Sequence, residues 1–95
     1  MANRRTPRRN AYVRSVGRFL PERRMTNREF EDMVDTTDEW IVIRTGIRER
    51  RILEPGLGSS YMAVRAAREC LERAGASPEE VDVIIVGTVT PDMLR

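Results

Sequence analysis

The stretch DTTDEWIVIRTGIRER, residues 35–50, decides how the rest of the chain is read. Thr36 followed three residues later by Glu39 has the spacing of a capping box, in which the two side chains satisfy orphan N–H groups at a helix start. Trp40, Ile41, Ile43 and Arg44 continue that helix until Gly46 offers a stop. Trp40 and Arg44 stand four apart and so project from one helical face. An indole stacks on a flat base and a guanidinium grips phosphate oxygens bidentately, so the pair is a candidate for holding a nucleotide-bearing ligand. The same spacing also fits a buried tryptophan beside a solvated or salt-bridged arginine.

Upstream, Thr26 and Glu29 repeat the capping spacing, and Phe30, Met33 and Val34 recur at helical intervals, which predicts a helix over 27–35. Before it, AYVRSVGRFLP carries a strand signal punctuated by Gly17 and Pro21, and a first strand is expected at about 11–17. Downstream, EPGLGS at 54–59 is a loop by its proline and glycine content. Ser59 or Ser60 then caps a helix whose inner stripe is Ala63, Ala66, Ala67, Cys70, Leu71 and Ala74. Arg65, Arg68, Glu69, Glu72 and Arg73 take its other face, and Gly75 ends it. After a Ser77-Pro78-Glu79-Glu80 turn, Val83, Ile84, Ile85 and Val86 form an unalternating apolar run, expected to be a strand over 83–89 buried on both faces. Such a strand needs neighbours on both edges, so the α/β unit is expected to be incomplete within these residues.

At 95 residues the chain has the length of one small domain, and residues 1–10 are expected to be a disordered basic leader ahead of a unit at 11–95. All 17 basic residues are arginine. Nine of them fall in residues 1–28 against the single acid Glu22, while residues 29–95 hold eight against fourteen acids, so a net charge of +2 hides a polarised chain. The arginines come without the aromatic or glycine pattern of single-strand binders, so the leader is read as solvated and nucleic acid is not expected as a partner. No apolar run approaches the roughly 20 residues of a membrane helix, and MANRRTPRRN has no apolar segment behind it, so no membrane association is expected and the cytoplasm is the expected compartment.

The chemistry available is sparse. Histidine is absent and Cys70 is the only thiol, so there is no imidazole base and no cysteine pair to hold zinc. No metal site is expected. The glycine spacing matches no phosphate-loop pattern. Cys70 lies near the C-terminal end of its helix, where the dipole disfavours a thiolate, and is read as a packing residue.

Taken in order, Leu20-Pro21-Glu22, Thr26-Asn27, the sixteen residues Asp35 to Arg50, the alanine-rich helix, Asp82 to Val86 and Thr88 to Asp92 resemble the N-terminal part of the β-ketoacyl-acyl-carrier-protein synthase III family. The resemblance covers about residues 11–94. It implies the start of a thiolase-like α/β fold: strand, short helices, long helix and buried strand. It implies an acyltransferase, homodimeric at full length, that opens type II fatty-acid synthesis by condensing an acyl-CoA primer with malonyl-acyl carrier protein and releasing carbon dioxide. CoA enters as substrate, and no cofactor is implied.

By the same resemblance, Trp40 stacks on the CoA adenine, while Arg44, Thr45 and Thr36 line the nucleotide end of that site. Arg48 and Arg50 are expected to be structural, pairing with Glu39, Glu49 or later acids. The family's catalytic cysteine, histidine and asparagine match no residue here, so no catalytic residue is assigned and the 95-residue chain is expected to be inactive alone. A polyketide-type relative, or a non-catalytic CoA- or partner-binding module, is the alternative.

Overall fold

The computed structural model describes residues 9–93, so most of the leader expected at 1–10 lies outside the described residues. The chain is organised around Thr26, where a strand passes directly into a helix. Strand β1 (Arg23–Thr26) ends there and α1 (Asn27–Glu31) begins, with the Thr26 hydroxyl accepting from the Glu29 amide at 3.3 Å. After a turn comes α2 (Asp38–Thr45), capped by the Thr37 side chain, which accepts from the Trp40 amide at 3.1 Å, and closed by Gly46 in the left-handed conformation. Strand β2 (Glu49–Ile52) then returns antiparallel to β1, with Met25 opposite Arg50. The two strands thus close over the helical pair they flank. Pro21, Met25, Asn27 and Ile41 are the buried residues of this unit.

The second part is α3 (Ser59–Ala74), ended by left-handed Gly75, and a single 3-10 turn at Pro78–Glu80. Residues 14–19 pass along α3 against its direction. The Arg14 guanidinium donates to the Ala74 carbonyl at 2.9 Å, Arg73 donates to the Val16 carbonyl at 3.4 Å, and Phe19 meets Tyr61 edge-on at 5.8 Å. Gly17 is the point of closest approach: a Cβ there would overlap the Ala66 carbonyl and come within 2.6 Å of the Cys70 amide. Residues 81–92 run back from the end of α3 to its start. There the Ser60 amide and hydroxyl both donate to the Asp92 carboxylate, and the Ser59 hydroxyl donates to the Thr90 carbonyl at 2.7 Å. Gly58 leaves the room that this carboxylate occupies. Both passes oppose α3, so they run in the same direction, as the strands of a β-α-β unit do.

Several expectations are corrected. No strand forms at 11–17 or at 83–89, and Ile85 is 89% exposed. A strand is stabilised by its ladder, and among the described residues neither segment has a partner for one. The strands that do form, RRMT and ERRI, carried no strand signal because arginine dominates both. The helix expected over 27–35 ends at Glu31. Of its three apolar residues only Phe30 finds a partner, under the Arg50 guanidinium at 4.8 Å, while Met33 and Val34 stay exposed. The cap of α2 is Thr37 in place of Thr36, and α3 starts after Gly58 with no side-chain cap of its own, since the carboxylate that meets Ser60 arrives from Asp92. The covered face of α3 is also rolled from the predicted stripe: Tyr61, Arg65, Ala66, Glu69 and Cys70 are half-buried, whereas Ala63 and Ala67 are exposed. The pass of residues 14–19 selects that face. With little apolar surface covered, the Cα radius of gyration is 19.9 Å, well above the roughly 12 Å of a collapsed chain of this length.

Candidate functional site

Helix α2 has two unlike faces. Its inner side carries Ile41, 6% exposed, and, at the helix end, the exposed Thr45, whose hydroxyl donates to the Ile41 carbonyl at 2.7 Å and accepts from the Ile47 amide at 3.0 Å. Its outer face carries Trp40, 55% exposed, with the Arg44 guanidinium 5.6 Å from the ring centroid. A tryptophan left this open forgoes the burial that usually justifies its size, and a cation over its face holds the ring without hiding it. Among the described residues no acid pairs with Arg44. Its charge is therefore available to an anion.

Beside the indole lies an open hollow of about 190 Å³, lined by Asp35, Thr36, Thr37 and Trp40. Sites that enclose a whole small molecule run to roughly 300–1,000 Å³. This hollow suits one flat ring against the indole, with the rest of a ligand outside. With Thr37 as the cap, Thr36 lines the hollow and takes no part in capping α2. Of the four residues singled out by sequence, Trp40, Arg44 and Thr36 come together. Thr45 is placed at the helix C-terminus with its one hydroxyl proton already committed to Ile41, so it can offer a ligand only an accepting lone pair.

A larger cleft of about 800 Å³ lies elsewhere, between the β1 and β2 ends and the start of α3, lined among others by Phe19, Leu20, Glu22, Leu53, Leu57 and Tyr61. It shares no residue with the α2 hollow. Its lining includes the charged Glu22, Arg23 and Glu54 but no histidine or cysteine, so size alone does not make it the site of chemistry.

The support beneath α2 was not legible beforehand. Asn27 is 1% exposed, and its carboxamide donates to Asp38 Oδ1 at 2.8 Å and to the Ile47 carbonyl at 2.7 Å while accepting from Arg50 Nη2 at 2.6 Å. Its backbone amide donates to the Arg48 carbonyl at 3.1 Å. Glu31 adds a bond from the Asp38 amide at 2.5 Å. Arg50 is structural, as expected, but through Asn27, Thr26 and Phe30 in place of the acids foreseen. The Thr-Asn helix start was the only signal that could have marked Asn27. Cys70 lies half-buried beside Gly17.

No family profile matches the chain. Curated proteins and solved structures do. The chain is 51% identical over 84 residues to β-ketoacyl-acyl-carrier-protein synthase III 2 of Bacteroides thetaiotaomicron, covering 87% of this chain and 25% of that protein. It is 57% identical over 81 residues to the synthase III of Symbiobacterium thermophilum, covering 85% and 24%. The crystal structure of the Thermus thermophilus synthase III superposes with a TM-score of 0.73 at 45% identity, over 88% of this chain and 26% of that one. A priming β-ketosynthase from a polyketide pathway superposes with a TM-score of 0.68 at 46% identity, over 82% and 24%. The chain spans about a quarter of the length of the relatives it matches.

Proposed function

Because the chain belongs to the β-ketoacyl-acyl-carrier-protein synthase III family and has its thiolase-like α/β fold over the matched residues, we propose that it serves an acyltransferase of fatty-acid synthesis as part of the CoA entrance. The reaction is condensation of an acyl-CoA with malonyl-acyl carrier protein with loss of carbon dioxide. The observation that carries the reading is the exposed Trp40–Arg44 pair beside the α2 hollow. Trp40 stacks on the adenine, Arg44 holds phosphate oxygens, Thr36 faces the ring edge, and Thr45 contributes a lone pair at the helix end. The energy of this contact serves binding and orientation, holding the thioester end of the ligand where chemistry takes place.

These residues supply the handle and none of the chemistry. Without histidine, and with Cys70 packed beside Gly17, the 95 residues do not form an acyl-enzyme or promote decarboxylation on their own. The enzyme works as a homodimer in the cytoplasm, with acyl-CoA and malonyl-acyl carrier protein as its partners and no added cofactor. No helix among the described residues is long and apolar enough to cross a membrane.

Trp40 is the only tryptophan, so its fluorescence reports this site alone. Titration of the chain with CoA is expected to quench it saturably, and Arg44→Ala is expected to weaken binding about tenfold, the worth of one charge-assisted contact. Unchanged fluorescence at millimolar CoA would sink the reading. The likeness to a priming ketosynthase favours a second reading, in which the same entrance serves polyketide starter loading. Turnover of short acyl-CoA primers on fatty-acid and polyketide carrier proteins by the full-length enzyme separates the two.

A further inference from the structure

The Trp40–Arg44 face is held at an angle that α2 cannot set by itself. The helix has eight residues and one buried side chain, Ile41. A single knob leaves a short helix free to roll about its axis. Asp38 sits about 200° round the helix from Trp40, on the inner side with Ile41 and Thr45. The Asn27 carboxamide grips that inner side at both ends, through the Asp38 carboxylate at the first residue of α2 and the Ile47 carbonyl just past its last turn. The amide is itself polarised, accepting from the Arg50 cation on one side and donating to the Asp38 anion on the other. Each of its two N–H groups and its oxygen has a partner, and the residue is buried, so neither an apolar side chain nor a carboxylate can meet the same set.

We propose that Asn27 is a positioning residue: its carboxamide fixes the roll of α2 and thereby the direction in which Trp40 and Arg44 meet their ligand. Only the identity of that ligand rests on the CoA reading. The geometric claim stands on the clamp.

The test uses the 95-residue chain, with two readouts from Trp40: the indole N–H resonance in the absence of ligand, and the affinity for CoA by fluorescence. Asn27→Asp removes both donors and sets a carboxylate against Asp38. It is expected to move the indole resonance in the folded protein and to weaken CoA binding about tenfold. Adding Asp38→Asn returns one donor to the pair and is expected to recover most of both signals. A residue needed only for stability would lower the denaturation midpoint of Asn27→Asp while leaving the indole resonance and CoA affinity of the folded molecules unchanged, and that result overturns the proposal. If Asn27→Asp does not fold, Asp38→Ala replaces it, since it frees one end of α2 and keeps the bonds to Ile47 and Arg50; its indole resonance must move as well. If the unaltered chain fails to bind CoA, the CoA reading falls, and the indole resonance alone decides the role of Asn27.

Discussion

Two regions of this molecule solve the same problem differently. Between Pro21 and Ile52, backbone and side chains close on one another: the strands pair, the helices are capped within the segment, and Asn27 satisfies groups on three sides. Around α3 the polypeptide is held by pins at its ends. Arg14 and Gly17 fasten one pass and Asp92 the other, while Val83, Ile84, Ile85 and Val89 stay open between them. The contrast teaches that hydrogen bonding, more than apolar area, gives the first region its definition. A segment of the second region can carry more hydrophobic residues and still stay uncovered, because burial needs an opposite surface and a cap needs only one atom.

The comparison can be broken from either side. The largest effect is expected at Ile41, the knob of the closed region. Ile41→Ala should lower stability by about 2 kcal/mol, near the bottom of the range for core truncation because the surrounding core is thin, read as an earlier loss of α2 amide protection in hydrogen exchange. Gly17→Ala comes next, since its Cβ has no space against α3. The cost is about 1–2 kcal/mol, typical of overpacking against backbone, and protection of residues 60–74 should fall while that of 38–45 holds. Equal losses in both regions would show that they are one cooperative unit.

A smaller effect attaches to Asp92. The hydrogen bonds from Ser60, its side chain first, hold this carboxyl below the ordinary value of 3.8. A depressed carboxyl contributes stability that is complete above its unfolded value and is lost as pH falls through the folded one. The Ser60 amide resonance should therefore move only below about pH 4, and Asp92→Asn should remove that step. A Ser60 resonance that ignores acid in the unaltered chain would mean that the pin is not closed. The smallest effect is expected at Arg24, whose exposed pairing with Glu49 is 3.9 Å long. Arg24→Ala should shift the denaturation midpoint by no more than about 0.5 kcal/mol, and a larger change would mark the closed region as dependent on surface charge.

What the sequence made legible follows the same division. Gly46 and Gly75 mark helix ends correctly because a left-handed stop is decided by one residue. Trp40 and Arg44 are visible as a pair because spacing four apart fixes a shared face whatever else happens. Strands are another matter. RRMT and ERRI pair although neither alternates, and VIIV does not pair although it looks buried, because a ladder belongs to two segments at once. The cap of α2 slipped by one residue since Thr36 and Thr37 both stand three before a plausible helical position, and only the folded backbone shows which hydroxyl meets an amide. Asn27 was hidden for the opposite reason: a polar side chain reads as surface until its partners, 11, 20 and 23 residues away, are seen around it.

Those separations also order the events of folding. The ribosome delivers the chain from its N-terminus, and loop closure favours contacts between residues near in sequence. Every partner of the Asn27 carboxamide has been made by residue 50, so the clamp on α2 can close early. The start of α3 waits longer: Gly58 gives it no side-chain cap, and the carboxylate that serves Ser60 comes from 32 residues further on. Helix α3 thus has its N-terminus completed by a residue well beyond its own C-terminus, which makes the Ser60–Asp92 contact a natural marker for when this part of the chain has finished folding.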